Sequence, residues 1–171
     1  MDMHLAQGGR LVLCQPQPAG GTSGHKFDSG CNPQGVAKIR IECGERNWKG
    51  IRFLSCVKRV FLDFHKMVPS SSCPDAIYWG CGVHISNNKT FTFDLAPGDE
   101  IFKAVVWSEG MVVNALQFHT KLGYLSPVFG IPRDNAKTTE VGGEESASLV
   151  GIYGRFGAVI DSLGFTFASV A

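Results

Sequence analysis

The sequence predicts an all-β fold built from three similar antiparallel sheets related by pseudo-threefold symmetry. Three observations carry that expectation. The 21 glycines among 171 residues are scattered between Val, Ile and Phe without a collagen-like period, the pattern of short strands joined by tight turns. Apolar and polar residues alternate at strand period in segment after segment, and no window shows the roughly 3.6-residue period of an amphipathic helix. A glycine-turn-strand unit also recurs along the chain.

Taken in order, residues 1–17 read as an N-terminal extension with one strand at 10–14, and residues 18–171 as a single domain. The glycine-dense stretch 19–30 is a turn opening into a short strand. Residues 36–43 alternate, with Ala37, Ile39, Ile41 and Cys43 on one face and Val36, Lys38, Arg40 and Glu42 on the other. Two further strands follow at 50–54 and 57–62. Residues 65–76, with Pro69, Pro74 and three serines, are a loop or insertion. Residues 77–82 read as an aromatic-then-glycine turn. Strands are expected at 90–95, 100–107 and 110–118, with Ala96-Pro97-Gly98-Asp99 a turn. Residues 133–148 are polar, a surface loop or loosely paired edge. Ile152 and Tyr153 lead into a bend bracketed by Gly154 and Gly157, and the last strand runs out through Val159, Ile160, Leu163 and Phe165.

The repeat is explicit. Gly110-Met111-Val112-Val113-Asn114-Ala115-Leu116-Gln117-Phe118 aligns without gaps on Gly157-Ala158-Val159-Ile160-Asp161-Ser162-Leu163-Gly164-Phe165. A looser copy, one residue longer, runs from Gly44 to Phe53. Three units spaced about 45 to 65 residues apart suit a prism of sheets around one core, and equally a trefoil.

Composition excludes several functions. The net charge is +1 and the charged fraction 18%, below the roughly 25% of soluble domains, with no basic stripe to bind nucleic acid. No run approaches the roughly 18 apolar residues of a membrane span. Residues 1–17 hold only Leu11-Val12-Leu13 as an apolar run, too short for a secretory leader, so a cytoplasmic protein is expected, with non-classical secretion left open. The 6 cysteines form no C-x-x-C and are expected to be reduced thiols. Cys81-x-x-His84 alone has ligand-like spacing and lacks a partner pair, so no metal and no cofactor are expected. Asn88-Lys89-Thr90 fits a glycosylation acceptor. Hydrolysis of a glycoside would need two opposed acids; Asp161 and Asp28 are the candidates, and Asp28 follows Phe27 in a strand-like position suited to folding. No nucleophile elbow is present, so the chain is not expected to be an enzyme.

Five motifs in series carry a resemblance. They are Gly20-Gly21-x-x-Gly24-x-x-Phe27-Asp28-x-Gly30, Leu95-x-Pro97-Gly98-Asp99-Glu100-Ile101, Ala115-Leu116-x-Phe118-x-Thr120, Phe129-Gly130, and Val150-Gly151-x-x-Gly154-x-x-Gly157-x-x-x-Asp161-x-x-Gly164. Together they resemble the jacalin-related lectins of mannose/glucose type, in order over most of the chain. The resemblance implies a β-prism I of three four-stranded Greek-key sheets. It implies that a mannose- or glucose-type sugar sits between a loop ending at Gly24 and the Gly157-to-Asp161 loop. There Asp161 accepts from two adjacent hydroxyls, and the N–H groups of Gly24, Gly157, Ala158 and Val159 donate. An ionised acceptor makes the stronger hydrogen bonds, and glycine lets backbone approach closely, so the chemistry is sensible in its own right.

Departures from the family pattern narrow the reading. The first repeat reads Gly44-Glu45-Arg46-Asn47-Trp48, without Asp, and the second offers Asn114, a weaker acceptor, so one site per chain is expected. Gly24 is internal and positions 158 and 159 are Ala and Val, which disfavours galactose. Arg155 and Phe156 are candidates for contact with a second sugar, or are plain exposed residues. Trp48, Trp79 and Trp107, one per repeat, read as core or interface, and His84 and Cys81 as surface. Weak single-site binding would make a homo-oligomer useful. The competing reading is a protein–protein contact module whose sugar site is vestigial.

Overall fold

The computed structural model describes residues 2–4, 10–65, 76–79 and 86–170, with side chains from residue 10 onward outside 76–79. The expected insertion at 66–75, the turn at 80–82, the Trp79 side chain, Cys81 and His84 lie outside the described residues.

Every regular element among the described residues is a strand. The fourteen are β1 (Asp2–His4), β2 (Arg10–Cys14), β3 (Ala19–Gly20), β4 (His25–Asp28), β5 (Val36–Trp48), β6 (Ile51–Phe64), β7 (Ala76–Trp79), β8 (Ser86–Asp94), β9 (Ile101–Glu109), β10 (Val112–Thr120), β11 (Phe129–Gly130), β12 (Lys137–Gly142), β13 (Ala147–Phe156) and β14 (Ile160–Val170). They form three antiparallel sheets, ordered β7-β6-β5-β8, β11-β10-β9-β12 and β1-β2-β14-β13-β4, with β3 also on β14.

Each sheet is one long hairpin flanked by outer strands: β5–β6, β9–β10 and β13–β14 are the central pairs. In the third sheet the flanks come from the start of the sequence. β2 pairs with residues 167–170 of β14 and β3 with residues 162–163, so together they make one interrupted outer strand. The expected strand at 10–14 is present, and β1 adds a further strand beyond it. A buried cluster drawn from all three sheets, including Ile39, Ile41, Val60, Val106, Leu116, Phe118, Ile152, Leu163 and Phe165, fills the space between them. This is the prism and not the trefoil. Phe118 and Phe165, equivalent in the repeat, meet edge to face with centroids 6.0 Å apart and planes at 83°, an arrangement contributing about 0.5–1.5 kcal/mol beyond burial.

Three strand readings need correction. The strands expected at 50–54 and 57–62 are one strand, β6, which starts at Ile51, because the apparent break is a pair of register shifts against β5. A further shift near Val36 turns that residue onto the core face with Ile39 and Ile41, the expected effect of a bulge on side-chain alternation. Residues 76–79, read as the start of a turn, are strand β7, paired with β6. The polar stretch 133–148, by contrast, holds the paired edge that was one of its two readings: an edge strand, β12, in register with β9 over residues 137–142.

The first copy of the repeat is also displaced. Gly44 lies inside β5, opposite Cys56, and the bend falls at Lys49 and Gly50, with φ of 48° and 80°. The packing fixes the correspondence instead: Phe53, Val112 and Val159, each just after its bend, share one buried cluster with Cys56. Two residues further along each chain segment stand Ser55, Asn114 and Asp161.

Candidate functional site

The three hairpin bends gather at one end of the prism around a cavity of about 210 Å³. One wall is Ser23 and Gly24, ahead of β4, and the facing wall is Gly157, Ala158 and Asp161. Arg46, Trp48 and Phe53 enter from the first bend, and Met111 and Val112 from the second. Four of the five residues singled out from sequence thus line one cavity. The fifth, Val159, has 0% exposure and packs beneath it.

Close backbone approach builds the site. Gly21 N–H donates to the Asp161 carbonyl at 2.9 Å. Gly20 lies against the same carbonyl, and an added Cβ there would stand 2.8 Å from Ser162 Cα. Gly24 has φ of 88°, and a Cβ on it would collide with Asp161 Oδ2 and stand 2.6 Å from the Phe156 carbonyl. Glycine is therefore required at Gly24 on two counts, conformation and space.

Asp161 is only 9% exposed. Among the described residues no donor bonds its carboxylate; Arg46 acts on it only as a nearby charge. Burial pushes the carboxyl up to about 6 from its ordinary 3.8, with Arg46 pulling the opposite way. An acceptor left open at a cavity wall is ready for hydroxyl donors from outside the protein.

The bend residues behave differently from their sequence reading. Gly157 is not at positive φ, and its N–H already donates to the Val159 carbonyl at 2.9 Å, so that donor is engaged within the bend. Gly154 is inside β13, paired to both Phe27 and Leu163, and does not bracket the bend. Arg155 and Phe156 line no part of the cavity. Arg155 Nη1 donates to the Gly24 carbonyl at 3.0 Å, and Phe156 packs its ring against His25 and Phe27. Both hold the Gly24 segment from behind, because β13 pairs with β4.

Asn114 is fully buried and spent on structure. Its Nδ2 donates to the Ser55 carbonyl at 2.8 Å and to Glu109 Oε1 at 3.0 Å, while Ser55 Oγ returns a bond to the Asn114 carbonyl. Asp28 lies outside the Asp161 cavity and accepts from Gly30 N–H at 2.8 Å, closing a turn. Three wider hollows, of about 510, 520 and 300 Å³, lie elsewhere among the described residues. In the first the acid, Glu45, is paired with Arg52 at 3.1 Å, and in the second Asp28 is the turn-closing group. In the third, buried Asp99 accepts through Oδ1 from the N–H groups of Glu100 at 2.8 Å and Leu122 at 3.0 Å. Among these hollows and the Asp161 cavity, the Asp161 cavity is the one that sets a buried carboxylate bonded by no described donor against an opposing glycine.

Arg46, Trp48 and Met111 are cavity residues that the motif reading did not assign. Their signal lay in the repeat, since threefold symmetry brings every bend to one end. No group of three or more potential metal ligands occurs among the described residues, and no helix there is long and apolar enough to cross a membrane.

Comparison with known proteins bears on this geometry. Residues 16–166 match the family described as Jacalin-like lectin domain. The chain is 32% identical over 152 residues to Myrosinase-binding protein 2 of Arabidopsis thaliana, covering 89% of this chain and 20% of that protein. It is 26% identical over 161 residues to Jacalin-related lectin 9 of the same plant, covering 88% and 45%. The chain thus spans less than half the length of these relatives. The fold matches a mannose-specific jacalin-related lectin from Morus nigra, solved in complex with mannose, at a TM-score of 0.69 and 17% identity over 91% of this chain and 94% of that one.

Proposed function

The chain belongs to the jacalin-like lectin family, and from that premise we propose that it binds mannose- or glucose-type glycans, non-covalently and without catalysis, in the Asp161 cavity. The observation that carries this reading is the open Asp161 carboxylate facing Gly24. Two vicinal hydroxyls of a pyranose would donate to Asp161, and backbone N–H groups at Gly24, Ala158 and Val159 are the complementary donors. Mannose binding by the Morus nigra lectin of the same fold supports the choice of sugar. A single small site of this kind is expected to bind a monosaccharide near the millimolar range, about 4 kcal/mol. Useful avidity then calls for several sites at once, and we propose a homo-oligomer.

The test is a glycan array probed with wild type and Asp161→Ala, followed by a crystal soaked in methyl mannoside. Signal on mannose- or glucose-type glycans that the substitution abolishes, with sugar density between residues 24 and 157–161, is expected. Array signal indifferent to the substitution, or density elsewhere, refutes the assignment. A second reading is a protein-contact module, favoured by the similarity to a protein named for binding myrosinase. Partners retained in a pull-down despite excess mannose would favour it.

A further inference from the structure

Two charged side chains line the candidate cavity, Asp161 and Arg46. They feel each other electrostatically, yet among the described residues they form no ion pair. Arg46 Nε is shielded from solvent and has no hydrogen-bond partner. Water therefore does not compensate that donor, as it would for an ordinary surface arginine. The cavity has an open acceptor on one wall and an open cation on another, with a space of about 210 Å³ between. A neutral hexose answers the first group but offers the second only uncharged hydroxyl acceptors and no counter-charge.

We propose that the cavity selects a pyranose bearing an anionic substituent, carboxylate or sulfate, and that Arg46 is the specificity-determining residue. The inference rests on the sugar-binding reading of Asp161 and adds the substrate class. Vicinal hydroxyls on one edge of the ring meet Asp161, and the anion on the other edge meets the Arg46 guanidinium. A guanidinium presents a planar fork that matches a carboxylate or sulfate with two parallel, charge-assisted bonds.

The surrounding charges permit this. Glu109, the other acid near this end, is occupied by Asn114 at 3.0 Å and Arg133 at 3.6 Å. Glu45, next to Arg46 in sequence, is paired with Arg52 on the outside of the hairpin. Lys49 stands over the Trp48 ring at 4.8 Å, adding a second positive charge at the same bend. Among the described residues Asp161 is the only acid in the cavity wall, and it faces the hydroxyl edge of the ring.

Titration calorimetry of the full chain with methyl glucoside, methyl glucuronide and glucose 6-sulfate, each against wild type, Arg46→Gln, Arg52→Gln and Asp161→Asn, tests the proposal. At least tenfold tighter binding of one or both anionic sugars than of the glucoside is expected in wild type and Arg52→Gln. Arg46→Gln removes that advantage, so that the anionic sugars bind no tighter than the glucoside to the same variant, and the anion that gains more in wild type identifies the preferred group. Arg46→Lys retains part of the gain, and serves as the readout if Arg46→Gln fails to fold by its thermal melt. Equal affinities in wild type, or an advantage that survives Arg46→Gln, overturn the anion preference; a glucoside affinity lost in Asp161→Asn would then leave the sugar reading intact. No binding of any of the three sugars, nor of methyl mannoside, overturns both.

Discussion

Gly24 and Asp161, far apart in sequence, approach so closely that a β-carbon on Gly24 would collide with Asp161 Oδ2. The approach is held from behind by Arg155, whose guanidinium bonds the Gly24 carbonyl at 3.0 Å. Gly24→Ala is expected to abolish sugar binding, because φ of 88° and the lack of space both exclude the methyl group. Arg155→Ala keeps every cavity residue and should weaken binding several-fold through a looser Gly24 wall. Titration of both variants with methyl mannoside checks the order. Equal loss in the two would place Arg155 in direct contact with sugar instead.

Asn114 occupies the position in the second hairpin that Asp161 occupies in the third. Its side chain straps β10 to β6 through the Ser55 carbonyl. Asn114→Ala removes the Nδ2 donor from that carbonyl and leaves Glu109 with Arg133 alone, and should destabilise the fold by about 1–3 kcal/mol. Sugar affinity should be unchanged. Urea denaturation paired with a binding titration separates the two readouts, and loss of binding at full stability would contradict the strap.

Thiol chemistry should divide the cysteines. Burial pushes Cys43 and Cys56 up to about 12, so their thiols stay protonated and shielded at ordinary pH. Cys14 is exposed, and Cys31 is half-buried with its thiol also raised by burial. Alkylation of the native protein with iodoacetamide near pH 8, read by peptide mapping, should label Cys14 fastest and Cys31 more slowly. Cys43 and Cys56 should label only after denaturation. Native labelling of Cys56 would mean that the floor of the cavity opens.

The fold was legible because strand period and glycine turns are local properties, and the repeat of Gly110 to Phe118 at Gly157 to Phe165 made three sheets the natural count. Of the candidate site, Gly24 and Asp161 stood out in the motifs, and the structure brings the two together. The misreadings have a common physical origin. Register shifts in β5 and β6 displaced the first bend from Gly44 to Lys49 and Gly50, and bulges leave no local mark in composition. Arg155 was read as a contact for a second sugar or a plain exposed residue because its partner is the backbone of Gly24, a contact set by the pairing of β13 with β4 and visible only in three dimensions. Arg46 went unassigned for the same reason, since its neighbours in the cavity come from other sheets.

The raised Asp161 carboxyl ties stability and binding to pH in opposite directions. The native pKa of about 6 stands above the ordinary 3.8, so between those values the folded state holds a proton that the unfolded state has released. Stability from this group is therefore fully present below the ordinary value and is lost as pH rises through about 6. Asp161→Asn should flatten that slope and gain stability at neutral pH. Sugar hydroxyls donate to the ionised form, so binding should be full above pH of about 6 and fall below it, approaching about tenfold per pH unit. Thermal melts and methyl mannoside titrations from acid to neutral pH measure both curves on the same protein. Binding that strengthens on acidification would show that the protonated carboxyl, acting as a donor, is the form that recognises the sugar.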